Sequence, residues 1–332
     1  MQHNRKRGFL SILLFLCAAD VTYGQTPKWY KFSKAFINQN IAQDSALGQL
    51  DSPRAFPAGR PHSISCGGED GELHIGIPGS AVVGSTGPIL ISAPADESDR
   101  AFGIVAEPAN ATASLGTFFS SNQGQNISFF GYYRVWNEGH DVGVLHPSNP
   151  HHVLELHPAW AMKIGNRTMV KPDSIFSMPD YQGYGASKFR PLLTSILAAK
   201  WLEVAEDENY VYVQLLKAEN FYQLPVIVKG VHPIQKGVEA TVDVYSDSPR
   251  ARLVYPNLRV IAVDGTRIAT QLTPGQKAYL LGIFSVNLRR AMAAATGHEG
   301  TGGAVFAPET LEFFTFGIAQ KPPVSSSSNC QN

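Results

Sequence analysis

Cysteine is scarce in this chain, with three in 332 residues. No two of them have the Cys-x-x-Cys spacing, which excludes thiolate zinc sites and thioredoxin-like redox chemistry. Net charge is lacking too, since 27 basic residues balance 27 acidic ones. No global field therefore draws the chain to nucleic acid or to an anionic membrane. No segment reaches the roughly 20 consecutive apolar residues that a membrane-spanning helix needs. The fixed-spacing catalytic signatures are missing as well. There is no Gly-x-Ser-x-Gly elbow, no Gly-x-x-x-x-Gly-Lys phosphate loop, no Gly-x-Gly-x-x-Gly after a strand and no His-Glu-x-x-His.

What is present begins with a tripartite N-terminus. Arg5, Lys6 and Arg7 precede an apolar stretch from Gly8 to Ala19, and Thr22-Tyr23-Gly24 follows at the position a signal peptidase reads. The expectation is a cleaved secretory signal over 1–24 and a secreted or periplasmic mature chain starting at Gln25. Cys17 follows bulky Phe15 and Leu16, which does not fit a lipid-anchor site. Cleavage removes three basic residues and one acidic one, leaving 27 − 3 = 24 basic and 27 − 1 = 26 acidic, a net charge near −2. It also leaves Cys66 and Cys330. In an oxidising compartment these two can pair and tie the C-terminal tail to the first domain, the alternative being two unpaired thiols.

Residues 25–60 read as a polar lead-in segment with aromatic points. A β-rich block spans 61–165, with strands expected at 72–78, 88–93, 101–107, 127–136 and 152–164 from period-two alternation and β-branched or aromatic content. Residues 166–187, with Pro172, Pro179, Gly183 and Gly185, read as a linker. A second β-rich domain covers 188–320. It opens on a short helix at 189–199, followed by a hairpin whose strands at 201–204 and 210–216 flank the acidic turn Glu206-Asp207-Glu208-Asn209. Strands follow at 225–231, 238–245, 252–263, 267–272 and 278–286, with Asp264-Gly265 as a hairpin turn. Asn287 caps a helix over 288–296 that Gly297 ends, and 311–318 closes the block. The tail over 321–332 is Pro- and Ser-rich and expected to be disordered. The fold class is mainly β, an antiparallel barrel followed by a second β-rich domain with one or two short helices.

Four segments of the first block occur in a suggestive order. They are Asp70-Gly71-Glu72-Leu73-His74-Ile75, Ile104-Val105-Ala106-Glu107-Pro108, Gly131-Tyr132-Tyr133-Arg134-Val135-Trp136 and Leu154-Glu155-Leu156-His157-Pro158. In these segments the chain resembles small extracytoplasmic bacterial proteins with an OB-like barrel. The resemblance covers about a third of the chain. It implies a fold and no catalytic residue. The turn after Trp136 departs from the pattern, running long through Gly143 and His146.

Residues two apart share a strand face. Glu72 lies with His74, and Glu155 with His157, on faces that alternation predicts to be open, with Leu154 and Leu156 turned to the core. If the two strands meet in one barrel, the four side chains form a His/carboxylate set. Such a set suits zinc or another divalent ion and general acid–base work. The plainer reading is cross-strand hydrogen bonding that fixes register. Trp136, Glu138, His140 and Asp141 fall in a loop beside these strands, where a ring and polar groups suit ligand binding, against the alternative of an aromatic core. Lys217–Gln223 is a second exposed loop on this reading. Asn110, Asn126 and Asn166 head glycosylation triplets.

The expectation is a secreted, non-enzymatic module that binds a ligand or protein partner without a cofactor. A metal-assisted hydrolase acting through the His/Glu face is the alternative, and a structural envelope protein a second one.

Overall fold

The computed structural model describes residues 27–41, 47–52, 56–57, 75–77, 104–107, 121, 127–137, 153–164, 167–170, 202–216, 218, 221–234, 237–246, 250–263 and 267–319. The expected signal segment, the strand at 88–93, the helix at 189–199, the Asp264-Gly265 turn, the tail from 321 and all three glycosylation triplets' asparagines lie outside these residues.

The described chain is mainly β. In chain order its elements begin with β1 (Lys28–Ser33), α1 (Lys34–Asn40), β2 (Leu47–Ser52), β3 (Phe56–Pro57), β4 (Ile75–Ile77), β5 (Ile104–Ala106), β6 (Ile127–Val135), β7 (Leu154–Ile164) and β8 (Arg167–Val170). There follow β9 (Glu203–Glu206), β10 (Tyr210–Leu215), β11 (Phe221–Ile234), β12 (Gly237–Tyr245), β13 (Leu253–Val263), β14 (Lys277–Val286), α2 (Leu288–Ala295), β15 (Val305–Phe306) and β16 (Leu311–Ala319). They make a four-stranded sheet β1-β10-β9-β15, a seven-stranded sheet β2-β6-β7-β5-β4-β3 with β8 beside β7, and a closed five-stranded barrel β11-β12-β13-β16-β14.

The acidic turn builds the β9–β10 hairpin. Asp207 Oδ1 accepts from the Asn209 and Tyr210 amides at 2.8 and 2.7 Å, and Oδ2 accepts from the Tyr212 hydroxyl at 2.6 Å. Partial burial pushes the Asp207 carboxyl up, but these donors outweigh it and hold it below the ordinary carboxylate range. The same bond, helped by burial, pushes the Tyr212 phenol up to about 12. A raised phenol stabilises the fold fully below its ordinary value near 10, and the contribution is lost as pH rises through the raised value. Asp207→Ala is expected to cost about 1–2 kcal/mol in denaturant unfolding. It should also bring Tyr212 back toward the ordinary range in a phenolate absorbance titration.

β1 pairs with β10 from Lys28↔Leu215 to Ser33↔Tyr210, so the lead-in segment is part of this sheet. Two helices lock its surroundings. Asn287 caps α2 by accepting from the Arg290 amide at 3.0 Å, and Gly297 ends the turn beyond it at φ +81°. Leu288, Ala291 and Ala295 form the buried stripe of α2, which packs on β9 and β10. Arg289 on its other side donates to the Ile41 carbonyl at 2.9 and 2.7 Å and to the Asn38 carbonyl at 3.0 Å. It thus satisfies backbone groups that the end of α1 leaves open.

The barrel has three consecutive antiparallel strands, β11 to β13, with β14 returning beside β11. That is a Greek key. β16 closes it, parallel to β13 and antiparallel to β14, giving a five-stranded barrel of the OB type. Cross-strand pairs such as Ala240↔Val260 and Val242↔Leu258 are buried in its core. Register shifts at Val228/Gly230, Val242/Val244 and Leu281/Gly282 supply the curvature that closure needs.

The sequence reading put the barrel in 61–165, whereas the closed barrel is formed by residues 221–319. The described strands of the first block make the seven-stranded sheet instead. Strand length gives the reason: β11 has 14 residues and pairs on both sides, while β4 and β5 have three each. Residues 267–270, expected as part of a strand, form a 3-10 turn in which Ile268, together with Leu272 just beyond, is buried. A spacing of four puts two residues on one face of a helical turn and of a strand alike, so the apolar pair did not separate the two. Arg167–Val170, expected in the linker, is β8. The expected exposed loop at 217–223 gives way to β11 from Phe221, with Tyr222 and Gln223 buried.

The seven-stranded sheet lies against the outside of the barrel. Tyr132 of β6 packs on Phe314 of β16, with ring centroids 5.4 Å apart. The Val135 amide donates to Ser285 Oγ of β14 at 3.2 Å. On the opposite face of β6, Tyr133 meets Phe36 of α1 edge-on at 5.6 Å.

Candidate functional site

The two site residues of β7 are together, but their face is not open. Every residue from Val153 to His157 is buried, with Glu155 at 2% and His157 at 0% exposure. β7 is an interior strand with β6 on one side and β5 on the other. The face opposite Leu154 and Leu156 is covered as well, so polar–apolar alternation here marks a buried ionic seam and not a solvent boundary.

Among the described residues the seam holds four members, on β6, on β7 and just past the end of β5. Arg134 of β6 is the register partner of Glu155 across the ladder, and its Nη1 forms an ion pair with Glu155 Oε1. Its Nε donates to the Phe284 carbonyl of β14 at 2.8 Å, fastening the sheet to the barrel. His157 Nδ1 lies 3.0 Å from Glu107 Oε2 and 3.5 Å from Glu155 Oε1. Glu107 follows β5 directly, and its amide donates to the Leu156 carbonyl at 3.0 Å. Arg134 and His157 have no exposure, Glu107 has 1%.

A second ionic group lies on the outer side of the barrel wall. Arg259 of β13 pairs with Glu312 of β16 and, at 2.7 Å, with Glu239 of β12. Asn287 Nδ2 donates to Glu312 Oε2 at 3.0 Å. Full burial pushes the Glu312 carboxyl up, while Arg259 and Asn287 pull it the other way.

Trp136, expected as a stacking platform, is 3% exposed. Its ring stacks on Phe284 at 5.7 Å, and Phe284 in turn meets Tyr222 and Phe313 of the barrel. It is a core residue, with the Arg134 guanidinium 5.9 Å above its ring. Glu138, His140, Asp141, Glu72, His74, Cys66 and Cys330 lie outside the described residues.

Arg134 and Glu107 were not among the expected site residues. Arg134 carried a signal, since it sits inside a run of aromatic and β-branched residues, where a charge has to find a buried partner. Glu107 carried none of its own, because its place beside His157 comes from the parallel pairing of β5 with β7.

Three donor atoms of Glu107, Glu155 and His157 lie within 4.8 Å of one another. Two carboxylates and an imidazole suit zinc or manganese. Arg134 already occupies one Glu155 oxygen, and burial leaves no open position for a substrate. The arrangement is suited to holding charge and fastening strands, and poorly suited to turnover. No family model and no curated protein matches this chain.

Proposed function

We propose that this protein is an exported, non-enzymatic binding module built on the OB-type barrel formed within residues 221–319. The observation that carries the reading is the burial of Glu107, Glu155 and His157 to 2% exposure or less. A hydrolase needs its general acid, base or metal at a surface that substrate reaches, and this His/carboxylate set sits between a sheet and a barrel. The secretory N-terminus supports export to a secreted or periplasmic site. Binding falls to the exposed barrel surface, because OB-type barrels recognise ligands on their second and third strands and neighbouring loops. Here those strands are β12 and β13. The turn between them ends on Arg250, Ala251, Arg252 and Leu253, all exposed, with Leu253 at 50%.

The test uses the purified mature protein with phosphodiester and glycosidic model substrates, with and without added zinc or manganese. The expected result is no turnover above that of His157→Ala. Turnover in the wild type that disappears in His157→Ala overturns the proposal in favour of a metal-assisted hydrolase.

A further inference from the structure

We propose that the outer face of the four-stranded sheet, centred on Trp29 and Tyr212, binds an uncharged sugar chain. This surface is separate from the barrel strands named above and does not depend on them. Alternation and register define the face. In β1 and β10, Tyr30, Phe32, Val211 and Val213 are buried in the core, together with the apolar stripe of α2. Trp29, Lys31, Tyr210, Tyr212 and Gln214 alternate with them and are only half-buried, so they share the opposite side of the sheet.

The register then gathers the rings. Trp29 pairs with Gln214, and Lys31 with Tyr212. Trp29 and Tyr212 are therefore diagonal neighbours, a separation that aromatic side chains bridge. Tyr210 lies two residues back along β10, with the Lys31 ammonium 4.4 Å from the centre of its ring. The three rings form a strip about 14 Å long, at roughly 7 Å per step. The Tyr212 hydroxyl donates to Asp207 Oδ2 at 2.6 Å, which fixes that ring before any ligand arrives. Beside the strip stand the Gln214 amide and, one step past the Val213↔Val204 pair on β9, the half-buried Glu203 carboxylate.

The chemistry selects the occupant. A sugar ring has an apolar C–H face that packs on an aromatic ring, and a rim of hydroxyls that both donate and accept. Rings bordered by an amide and a carboxylate answer both features. Trp and Tyr also lose little conformational entropy when a ligand covers them. Charge argues against a polyanion. The Lys31 cation is offset by the Glu203 and Asp207 carboxylates, whereas nucleic acid is held through several uncompensated cations.

The experiment titrates the intact mature protein with cellohexaose, N-acetylchitohexaose and mannohexaose, and with single-stranded DNA and a galacturonate hexamer as polyanions. Binding is read by calorimetry, and folding of each variant by circular dichroism. The expected result is binding of at least one neutral sugar, weakened about tenfold or more in Trp29→Ala, as loss of a central aromatic anchor does. Gln214→Ala should weaken it about threefold or more through a lost hydrogen bond, and Leu253→Ser should leave it unchanged. If Trp29→Ala does not fold, the wild type and Gln214→Ala decide. Failure of all three sugars to bind overturns the proposal. So does equal binding by a folded Trp29→Ala, or binding of either polyanion more tightly than of any neutral sugar. Sugar binding lost in Leu253→Ser but kept in Trp29→Ala assigns the ligand to the barrel and overturns this surface alone. Self-association lost in Trp29→Ala, with no sugar bound, makes the face a contact between copies and overturns it too. Cleavage of a bound sugar that disappears in His157→Ala overturns the non-enzymatic reading and leaves the sugar surface standing.

Discussion

Replacing Arg134 with methionine is expected to lower the unfolding free energy by about 3–5 kcal/mol, the loss that follows when one partner of a buried ion pair is removed. Glu155 has 2% exposure, and Arg134 is its register partner across the ladder. Without the guanidinium its charge stays in a dry junction beside Glu107. The substitution also removes the 2.8 Å bond to the Phe284 carbonyl, the tie between sheet and barrel. Denaturant unfolding of the two proteins measures the loss. The double variant Arg134→Met/Glu155→Leu should lose less than the single one, since a well-packed apolar pair replaces the ion pair and leaves Glu107 with His157. A loss under about 1 kcal/mol in the single variant would mean that the seam carries little of the fold.

Gly282→Ala should be at least as damaging. Gly282 lies at the register shift in the β14–β16 ladder. A methyl group there would meet the Phe314 carbonyl oxygen, with its carbon at 2.9 Å and the Phe313 ring at 3.0 Å. The obstacle is backbone and cannot swing aside. Relief requires moving β16 away from β14, which breaks the barrel where it closes. The expected loss is about 4 kcal/mol or more, in the rare upper tail for single substitutions. It is read as a fall in thermal midpoint by circular dichroism and in soluble yield. A near-native midpoint would show that the two strands can part here without opening the barrel.

Local features were legible in the sequence wherever a few adjacent residues decide the outcome. The turn at Asp207 is one, because a single carboxylate collects the turn amides. The ends of α2 are another, set by Asn287 and Gly297. Period two also gave β6, β7, β12 and β14 close to their observed limits. What alternation does not carry is the nature of the second face. Along β7 it separates Leu154 and Leu156 from Glu155 and His157, and the natural inference is water on the polar side. The polar side is instead closed by Arg134, 21 positions earlier, and by a barrel that begins at Phe221. Neither proximity can be read from the strand itself. The position of the barrel was hidden for a similar reason. Closure depends on long bulged strands and on the parallel pairing of β13 with β16, which no local pattern announces. Trp136 shows the same limit, since a Trp at a strand end reads equally as a loop platform or as a core ring until Phe284 is placed beneath it.

The pairing of β1 with β10 and the bond from Arg289 to Ile41, 248 positions apart, bear on how the chain acquires its fold. The first described strand cannot pair with β10 until Tyr210 to Leu215 have been made, and the Ile41 carbonyl cannot accept from Arg289 until that residue has been made. Contacts this far apart in sequence give a slow, late-closing fold, because long loops must be ordered before any pairing rewards them. A chain that emerges N-terminus first therefore holds β1 without its β10 partner through most of its synthesis. Under the export proposed above, that delay would present the channel with an extended chain and not a finished sheet.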